Sequence, residues 1–398
     1  MIANKSLLQE LFRAFHIQRW NDRIRPMDLI EMDKHAHKMI IAYCIGKYEE
    51  DKGIFVDWNE LIKNSIFELL RRITISDIKS PIFSKIKRNR KVFEKLNRYI
   101  YNELEPKISD EHIKREIYNY LFKKDDNQTL TDRILEASHI FASYWEFRII
   151  KNSNPQSYQT LKIETELLDT LDKFSDLEGI RKLTRMHTIY NFIDLFGQLR
   201  FQYRWAQLPR IPKTSVLGHS LMVACIAYLF ARENNACDKR IYNDFFGGLF
   251  HDLPEAVTRD ILSPVKRSSK EFENLLKTIE KELTEQEILT LIEPNWHKEI
   301  EYFITDEFAN KIIKNGKIEK NVNQNELDTK YNKNQFSPYD GQLIKAADNL
   351  AAFLEVWNSC NSGIKTEELQ KAVLKIKEAN AYKIGKIDLS KIYEEFYS

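Results

Sequence analysis

The spacing of the apolar residues constrains the fold of this chain more than any other feature. Apolar side chains recur every three or four positions along 38–48, 59–70, 220–231 and 271–283, which is the period at which a helix presents one face. Glycine (11) and proline (10) are scarce for 398 residues, and the one Asn-Gly pair, at 315–316, lies in a polar tract rather than between alternating strands. The sequence therefore predicts an all-α protein.

A tract rich in lysine and asparagine, 310–335, interrupts this pattern. Such a composition offers little apolar surface for burial. We expect a mobile surface insertion in the second half of the chain. Two roles are open for it: a solvated helix and loop without a function of its own, or a loop that reaches the mouth of an active site.

The composition argues against several classes of partner. The 61 basic and 59 acidic residues leave a net charge of +2, so bulk electrostatics favours neither a nucleic acid nor a membrane surface. No stretch has the roughly 20 consecutive apolar residues that span a bilayer, and the amino terminus lacks the apolar segment of a signal peptide. The four cysteines form no CxxC pair, as expected of reduced thiols. We expect a cytoplasmic protein.

Four stretches of the first half recur, in the same order, in the second half. They pair 18–20 with 203–205, 37–45 with 219–227, 68–81 with 251–264, and 134–147 with 343–356. The offset is 182–185 positions for three pairs and 209 for the last, and the polar tract accounts for the difference. We therefore predict a tandem duplication of one helical domain. The first copy covers 1–170 and the second covers 180–398.

The two copies differ at polar positions. His251-Asp252 of the second copy aligns with Glu68-Leu69 of the first, and Asp348 aligns with His139. The apolar positions, in contrast, mostly agree. The simplest interpretation is one working site in the second copy and a first copy that has lost it.

The changed positions include the residues best suited to bind a metal. His219, His251, Asp252 and Asp348 offer two imidazoles and two carboxylates, a set that suits one divalent transition ion such as Mn²⁺, Co²⁺, Fe²⁺, Ni²⁺ or Zn²⁺. Pro254 predicts a helix break that lets His251 and Asp252 face one ion. A core histidine at 219 and a helix cap at Asp252 are the structural alternatives. For Asp348, on an apolar helix, burial without a partner is costly.

These residues also resemble a known family. An Arg-Trp pair (204–205), the histidine at 219, the block 251–266 and the helix 344–355 are similar to the HD-domain metal-dependent phosphohydrolases, a helical superfamily. Within it they most resemble the bacterial HD-domain 5′-deoxyribonucleotidases, over roughly 195–360. The resemblance implies that the second half hydrolyses a deoxynucleoside 5′-monophosphate to deoxynucleoside and phosphate.

The resemblance also implies roles for single residues. Arg204 would bind the substrate phosphate, and Trp205 would lie against the sugar and disfavour a 2′-hydroxyl. Glu255, beside the metal-bound Asp252, would orient or deprotonate the attacking water or protonate the leaving oxygen. Asp260 would contact the sugar 3′-hydroxyl.

Some of these residues have counterparts in the copy without the metal motif. Arg19-Trp20 aligns with Arg204-Trp205, and Asp77 aligns with Asp260. Their presence there also fits purely structural roles, as a packed aromatic or a brace of a turn. Both interpretations stay open from the sequence.

The activity and the first copy have alternatives as well. The substrate could be a nucleoside triphosphate or cyclic nucleotide, or the protein could be a nucleotide-binding regulator with little turnover. The first copy could replace the second subunit of a dimer, hold a regulatory nucleotide through Arg19 and Arg71-Arg72, or bind a macromolecule. We accordingly expect either a monomeric pseudodimer or a homodimer.

Overall fold

Helices dominate the molecule. The computed structural model describes residues 1–76, 78, 80–123, 128–154, 157–259 and 269–397, and about 69% of the structure is helical, which confirms the all-α prediction. The helices are α1 (Lys5–Phe12), α2 (Glu31–Asp51), α3 (Trp58–Thr74), α4 (Ser80–Lys87), α5 (Arg90–Leu104), α6 (Glu111–Leu121), α7 (Leu130–Ser153), α8 (Tyr158–Asp172), α9 (Glu178–Thr184), α10 (Thr188–Gln198), α11 (Val216–Glu233), α12 (Asp238–Phe250), α13 (Glu255–Thr258), α14 (Lys270–Leu283), α15 (His297–Ile304), α16 (Gln324–Thr329), α17 (Gly341–Asn361), α18 (Glu367–Ala379) and α19 (Leu389–Glu395).

The strands are short and pair only locally. Among the described residues they form three antiparallel hairpins, β1 (Gln18–Arg19) with β2 (Leu29–Ile30), β3 (Lys311–Lys314) with β4 (Lys317–Lys320), and β5 (Lys383–Ile384) with β6 (Ile387–Asp388). Each hairpin has two strands. They therefore connect helices rather than build a sheet layer.

Two long buried helices occupy the centre of the second half. α11 begins at its cap Ser215, whose side chain accepts the backbone N–H of Gly218, and α17 begins at Asp340, whose side chain accepts that of Leu343. Such caps satisfy backbone donors that a helix leaves free at its start. By length and composition α11 could cross a membrane, but 89% of it is buried inside the fold, as in a core helix.

One hydrophobic core contains residues of both halves. Tyr43 of α2 packs on Phe246 and Phe250 of α12, with ring centroids 5.0 and 5.1 Å apart. Trp58, at the start of α3, packs edge-on against Phe246 at 5.5 Å. Aromatic pairs at these distances contribute beyond their buried area. The first half therefore supports the helix of the second half that ends just before His251.

The two halves repeat an unusual local geometry. Trp20 and Trp205 both have a positive φ, +56° and +57°, which is rare for a bulky residue. Their indole N–H groups donate to buried carboxylates, Glu146 at 2.9 Å and Glu355 at 2.8 Å. The arginine before each tryptophan also donates its Nε to the same carboxylate, at 2.8 and 3.4 Å. The duplication itself, with its boundaries at 1–170 and 180–398, stays a prediction.

The polar tract 310–335 is folded, which corrects the expectation of a mobile insertion. Asn315 and Gly316 both adopt positive φ and form the tight turn between β3 and β4, as Asn-Gly favours. Ile312 packs with Leu327 and Tyr331 in a small core of its own. The hairpin escaped the sequence analysis because lysines flank its few apolar residues.

A buried arginine fastens this tract to the helices around it. Arg240 of α12 pairs with Asp328 of α16 at 2.8 Å and also with Asp340, the cap of α17. Its side chain is fully buried, so the carboxylates supply the charge compensation that burial demands. The cluster links α12 to α17, the helices next to His251 and around Asp348.

A buried aspartate lies where α2 meets α11. Asp33 accepts a hydrogen bond of 2.5 Å from Ser215, and its Oδ1 lies close to Gly218. Burial raises the pKa of Asp33 to about 7, and the charge of Arg200 and the Ser215 bond offset only part of this effect. Deprotonation of Asp33 therefore works against the packing of these helices.

We predict that Asp33→Asn stabilises the protein increasingly as the pH rises. In the unfolded chain this carboxyl ionises near its ordinary value of 3.8, so the unfolded state binds fewer protons than the folded state up to about pH 7, and wild-type stability falls over that range. The free energy of unfolding of both proteins can be measured in urea at pH 5 and at pH 8. The difference between the variant and wild type should increase by about 2 kcal/mol or more from pH 5 to pH 8.

Asp172→Asn, an exposed substitution at the end of α8, is the matched control for replacing one aspartate by asparagine. A constant difference between Asp33→Asn and wild type would contradict a raised pKa at Asp33.

Candidate metal centre

Three of the four side chains predicted as metal ligands form one group, and the fourth, Asp348, contacts this group through His219. His219 is on the first turn of α11, His251 caps α12 and Asp348 is in the middle of α17. His219 Nε2 is 3.0 Å from Asp348 Oδ1, and His251 Nε2 is 3.2 Å from Asp252 Oδ2. One ligand atom each of His219, His251 and Asp252 lies within 4.8 Å of the other two. The residues converge although they come from distant parts of the chain.

The end of α12 explains how neighbouring residues face the same centre. The helix stops at Phe250, with His251 as its cap, and Pro254 precedes the short α13. Proline has no N–H to continue the hydrogen bonds of α12. His251 and Asp252 therefore lie in the turn between two helices. There, adjacent side chains need not point about 100° apart, as they do along a regular helix.

Electrostatics links His251 and Asp252. Burial alone would lower the pKa of His251, but the carboxylates of Asp252 and Asp348 outweigh it and raise the pKa to about 9. Burial opposes ionisation of Asp252, yet the charges of His251 and Arg204 hold its pKa below the usual range. Both aspartates are therefore carboxylates at neutral pH.

The donor atoms fit a divalent transition ion. Asp252 Oδ2 is buried and accepts no hydrogen bond of regular geometry from the described residues. Its neighbours are the cationic groups of His251 at 3.2 Å and Arg204 at 3.7 Å, so it keeps a lone pair for a further ligand. Two imidazole nitrogens and carboxylate oxygens are ligands that Mn²⁺, Co²⁺, Fe²⁺, Ni²⁺ and Zn²⁺ accept. His219, His251 and Asp252 thus form a possible metal-binding cluster.

The second nitrogen of each imidazole is also held. His251 Nδ1 lies 2.7 Å from the carbonyl oxygen of Gly248, and His219 Nδ1 lies 3.1 Å from Glu355 Oε1. Such partners fix the tautomer and the orientation of metal-binding histidines. Burial would raise the pKa of Glu355, but the charges of Arg204 and His219 outweigh it and keep the carboxylate ionised.

Glu355 is the residue of this site that the sequence analysis missed. Two signals point to it: it follows Asp348 by seven positions, two helical turns on the same face, and it aligns with Glu146 at the offset of 209. Its neighbours in the helix are apolar, so it is a charge on a buried face. A search for buried carboxylates, rather than for metal motifs, finds it.

The predicted substrate contacts lie beside this cluster. Arg204 Nη1 is 3.7 Å from Asp252 Oδ2, and Trp205 Nε1 donates to Glu355 Oε2 at 2.8 Å. Burial would lower the pKa of Arg204, but the carboxylates of Glu355 and Asp252 outweigh it, so its pKa rises above the usual range. Arg204 thus remains a cation, and 17% of its side chain is exposed.

Of the two remaining predicted residues, the structure describes Glu255 but not Asp260. Glu255 is the first residue of α13 and is 8% exposed. Its backbone N–H donates to the carbonyl of Asp252 at 3.1 Å, which keeps it one turn from that residue. Asp260 lies outside the described residues, as do all residues of the block 251–266 that follow Arg259.

The aligned positions of the first half form a different cluster. Lys38 Nζ is 2.6 Å from Glu68 Oε2, and His139 Nδ1 is 3.2 Å from Glu68 Oε1. Lys34 Nζ lies 2.5 Å from the same His139 nitrogen. Both lysines are fully buried. Burial lowers the pKa of both lysines, and their amino groups occupy this cluster. Among the described residues, only the second half brings three ligand atoms within 4.8 Å.

Comparison with known proteins identifies this part of the chain. Residues 196–377 match the family model described as HD domain. The second half carries an HD domain of the phosphohydrolase superfamily. The His-Asp pair at 251–252 lies within the matched residues, as do His219 and Asp348.

Several relatives of the HD domain have curated names. A 5′-deoxynucleotidase of Vibrio vulnificus is 23% identical over 184 residues, which are 44% of this chain and 76% of the relative. The 5′-deoxynucleotidase YfbR of Escherichia coli is 24% identical over 184 residues, or 44% of this chain and 74% of YfbR. A crystal structure of an HD-domain phosphohydrolase from Listeria innocua is 21% identical, covers 44% of this chain and 83% of that one, and superposes with a TM-score of 0.36.

We predict one metal ion per chain. Protein loaded with Mn²⁺ and desalted should contain one ion by elemental analysis, because within the described part of the chain only the second half brings three imidazole and carboxylate ligand atoms within 4.8 Å. Asp252→Ala should lose it, since this change removes a central ligand atom. Glu68→Gln, the matched change in the lysine cluster of the first half, should keep one ion. Two ions per wild-type chain, or one ion in Asp252→Ala, would contradict the assignment.

Proposed function

We propose that the HD domain hydrolyses a nucleotide phosphate ester, most specifically a deoxynucleoside 5′-monophosphate, to deoxynucleoside and phosphate. The observation that carries the proposal is the convergence of two imidazoles and two carboxylates beside a cationic arginine. His219, His251, Asp252 and Asp348 would hold one divalent ion. When bound, such an ion lowers the pKa of a water molecule and neutralises charge on a phosphoryl oxygen.

Arg204 is suited to bind the substrate phosphate. Its guanidinium is cationic, partly exposed and 3.7 Å from Asp252, so a phosphate held by it would lie next to the ligand cluster. A guanidinium can donate two parallel hydrogen bonds to phosphate oxygens. Its Nε is engaged by Glu355 at 3.4 Å, which limits the ways in which the remaining N–H groups can point.

Trp205 and Asp260 are proposed to contact the sugar. The indole of Trp205 is held by its bond to Glu355, and its left-handed backbone keeps the ring beside Arg204. Bulk at this place would exclude a 2′-hydroxyl and so favour deoxynucleotides. Asp260 would accept a hydrogen bond from the 3′-hydroxyl.

Glu255 is proposed as the catalytic acid–base, together with Asp252 as the ligand next to it. Its carboxylate would take a proton from the attacking water as the water oxygen bonds to phosphorus. It would then give this proton to the 5′-oxygen as the P–O5′ bond breaks, so protons and electrons balance. Its position at the start of α13, one turn from Asp252, supports this role.

We also propose that the chain arose by tandem duplication and that its first half replaces a partner subunit. The matched Arg-Trp-Glu contacts and the common core support this proposal, and the buried lysines argue for a first half without metal chemistry. A homodimer of the whole chain is the alternative. The named relatives, which are 5′-deoxynucleotidases, support the substrate class.

The activity can be tested by phosphate release. With Mn²⁺ or Co²⁺, the protein should release phosphate from deoxynucleoside 5′-monophosphates faster than from the ribonucleotides, and a chelator should stop the release. Glu255→Gln should keep the metal and lower kcat by about 100-fold or more, because proton transfer is lost. Thermal stabilisation by nucleotides without any release would instead indicate a binding protein.

The role of Arg204 has a matched control in the first half. Arg204→Lys should raise KM by about tenfold or more, since a lysine cannot form the paired hydrogen bonds of a guanidinium. Arg19→Lys changes the aligned residue, which is bonded to Glu146 and Glu31, and should leave KM unchanged. Equal effects of both substitutions on KM would show that Arg204 acts only through folding.

A further inference from the structure

One buried carboxylate contacts a candidate metal ligand and two of the proposed substrate contacts. Glu355 Oε1 lies 3.1 Å from His219 Nδ1, and Glu355 Oε2 accepts from Trp205 Nε1 at 2.8 Å and lies 3.4 Å from Arg204 Nε. We propose that Glu355 is a positioning residue that sets His219, Arg204 and Trp205 in one fixed arrangement. The proposal rests on the proposed function, because it assigns these groups to one reaction site.

The bond to His219 determines what that imidazole can do. An ionised carboxylate can only accept, so the Nδ1–H of His219 is directed at Glu355 and Nε2 faces away from it. Nε2 is the nitrogen that lies 3.0 Å from Asp348 Oδ1, in the ligand cluster. Glu355 thus holds the ring in the orientation that presents Nε2 to the ligand cluster, and it opposes rotation of the ring.

The charge of Glu355 also balances two guanidinium groups. Arg210 lies behind Trp205, with its Cζ 5.9 Å from the indole centroid, and it donates to the carbonyl of Arg204. Its Nε and Nη1 are buried and have no hydrogen-bond partner among the described residues. Burial lowers the pKa of Arg210, and the charge of Glu355 offsets part of this effect. The negative charge of Glu355 therefore also offsets the repulsion between Arg204 and Arg210.

The first half contains the same arrangement without the metal ligand. Glu146 accepts from Arg19, Trp20 and Arg200. His37, which aligns with His219, contacts the carbonyl of Ile193 at 2.8 Å and Arg200 at 3.3 Å rather than the carboxylate. In both halves the carboxylate accepts hydrogen bonds from the Arg-Trp pair. Of Glu146 and Glu355, only Glu355 also contacts an imidazole.

This difference supplies a matched pair of variants, Glu355→Gln and Glu146→Gln, in the full-length protein. Melting temperature without metal, Mn²⁺ affinity by calorimetry without nucleotide, and kcat and KM should be measured for each. Both variants should lose thermal stability. Only Glu355→Gln should bind Mn²⁺ about tenfold or more weakly and show a raised KM for the nucleotide. Wild-type Mn²⁺ affinity in Glu355→Gln, or an equal loss in Glu146→Gln, overturns the proposal.

A second variant covers the case in which Glu355→Gln does not fold. Glu355→Asp keeps the negative charge for both guanidinium groups but withdraws the oxygen from His219, so it should fold and still lose Mn²⁺ affinity. Wild-type affinity in this variant overturns the proposal. A wild-type protein that binds Mn²⁺ but releases no phosphate would refute the proposed activity alone, because the role of Glu355 is judged from Mn²⁺ affinity.

Discussion

Charge buried inside a helical core has to be neutralised there, and this requirement organises both halves of the molecule. An unpaired buried ion costs several kcal/mol. In the first half, Lys38 of α2 pairs with Glu68 and Lys34 contacts His139, and burial lowers the pKa of both lysines. The aligned positions of α11 are Val216 and Ser220, so α11 supplies no such amino group to the second cluster. We regard the lysines as the substitute for a cation in the half that lacks the ligand set.

The same requirement keeps the helices around the candidate site in place. Arg240 links α12 to the cap of α17 through Asp340, and Glu355 links α17 to the start of α11 through His219. Aromatic residues of the first half, such as Tyr43, pack on α12 from the other side. Each helix that carries a candidate ligand is thus held by a buried ion pair, by apolar packing, or by both. His219 and Asp348 therefore lie on packed helices, and His251 and Asp252 lie in the turn that follows one of them.

The sequence predicted the helices better than it predicted the segments that connect them. Helical spacing predicted the class of the fold, and the aligned stretches pointed to Arg19-Trp20 and Arg204-Trp205, whose contacts the structure shows to be alike. The tract 310–335 was interpreted by composition as mobile, although three of its apolar side chains form a core. Composition averages over a segment, whereas a small core depends on a few contacts. Glu355 was missed for a similar reason, since a metal motif contains only the ligands and not the residues that orient them.

By itself the sequence determined the helical class, the types of ligand available and the part of the chain that carries them, because periodicity and side-chain chemistry are local properties. Only the tertiary structure decided which groups meet. His219 and Asp348 are 129 positions apart in the chain, and their approach to 3.0 Å depends on how α11 and α17 pack together. The bonds of Glu355 to His219 and Trp205 depend on the same packing. Distances of this kind result from all helices at once, so no short motif contains them.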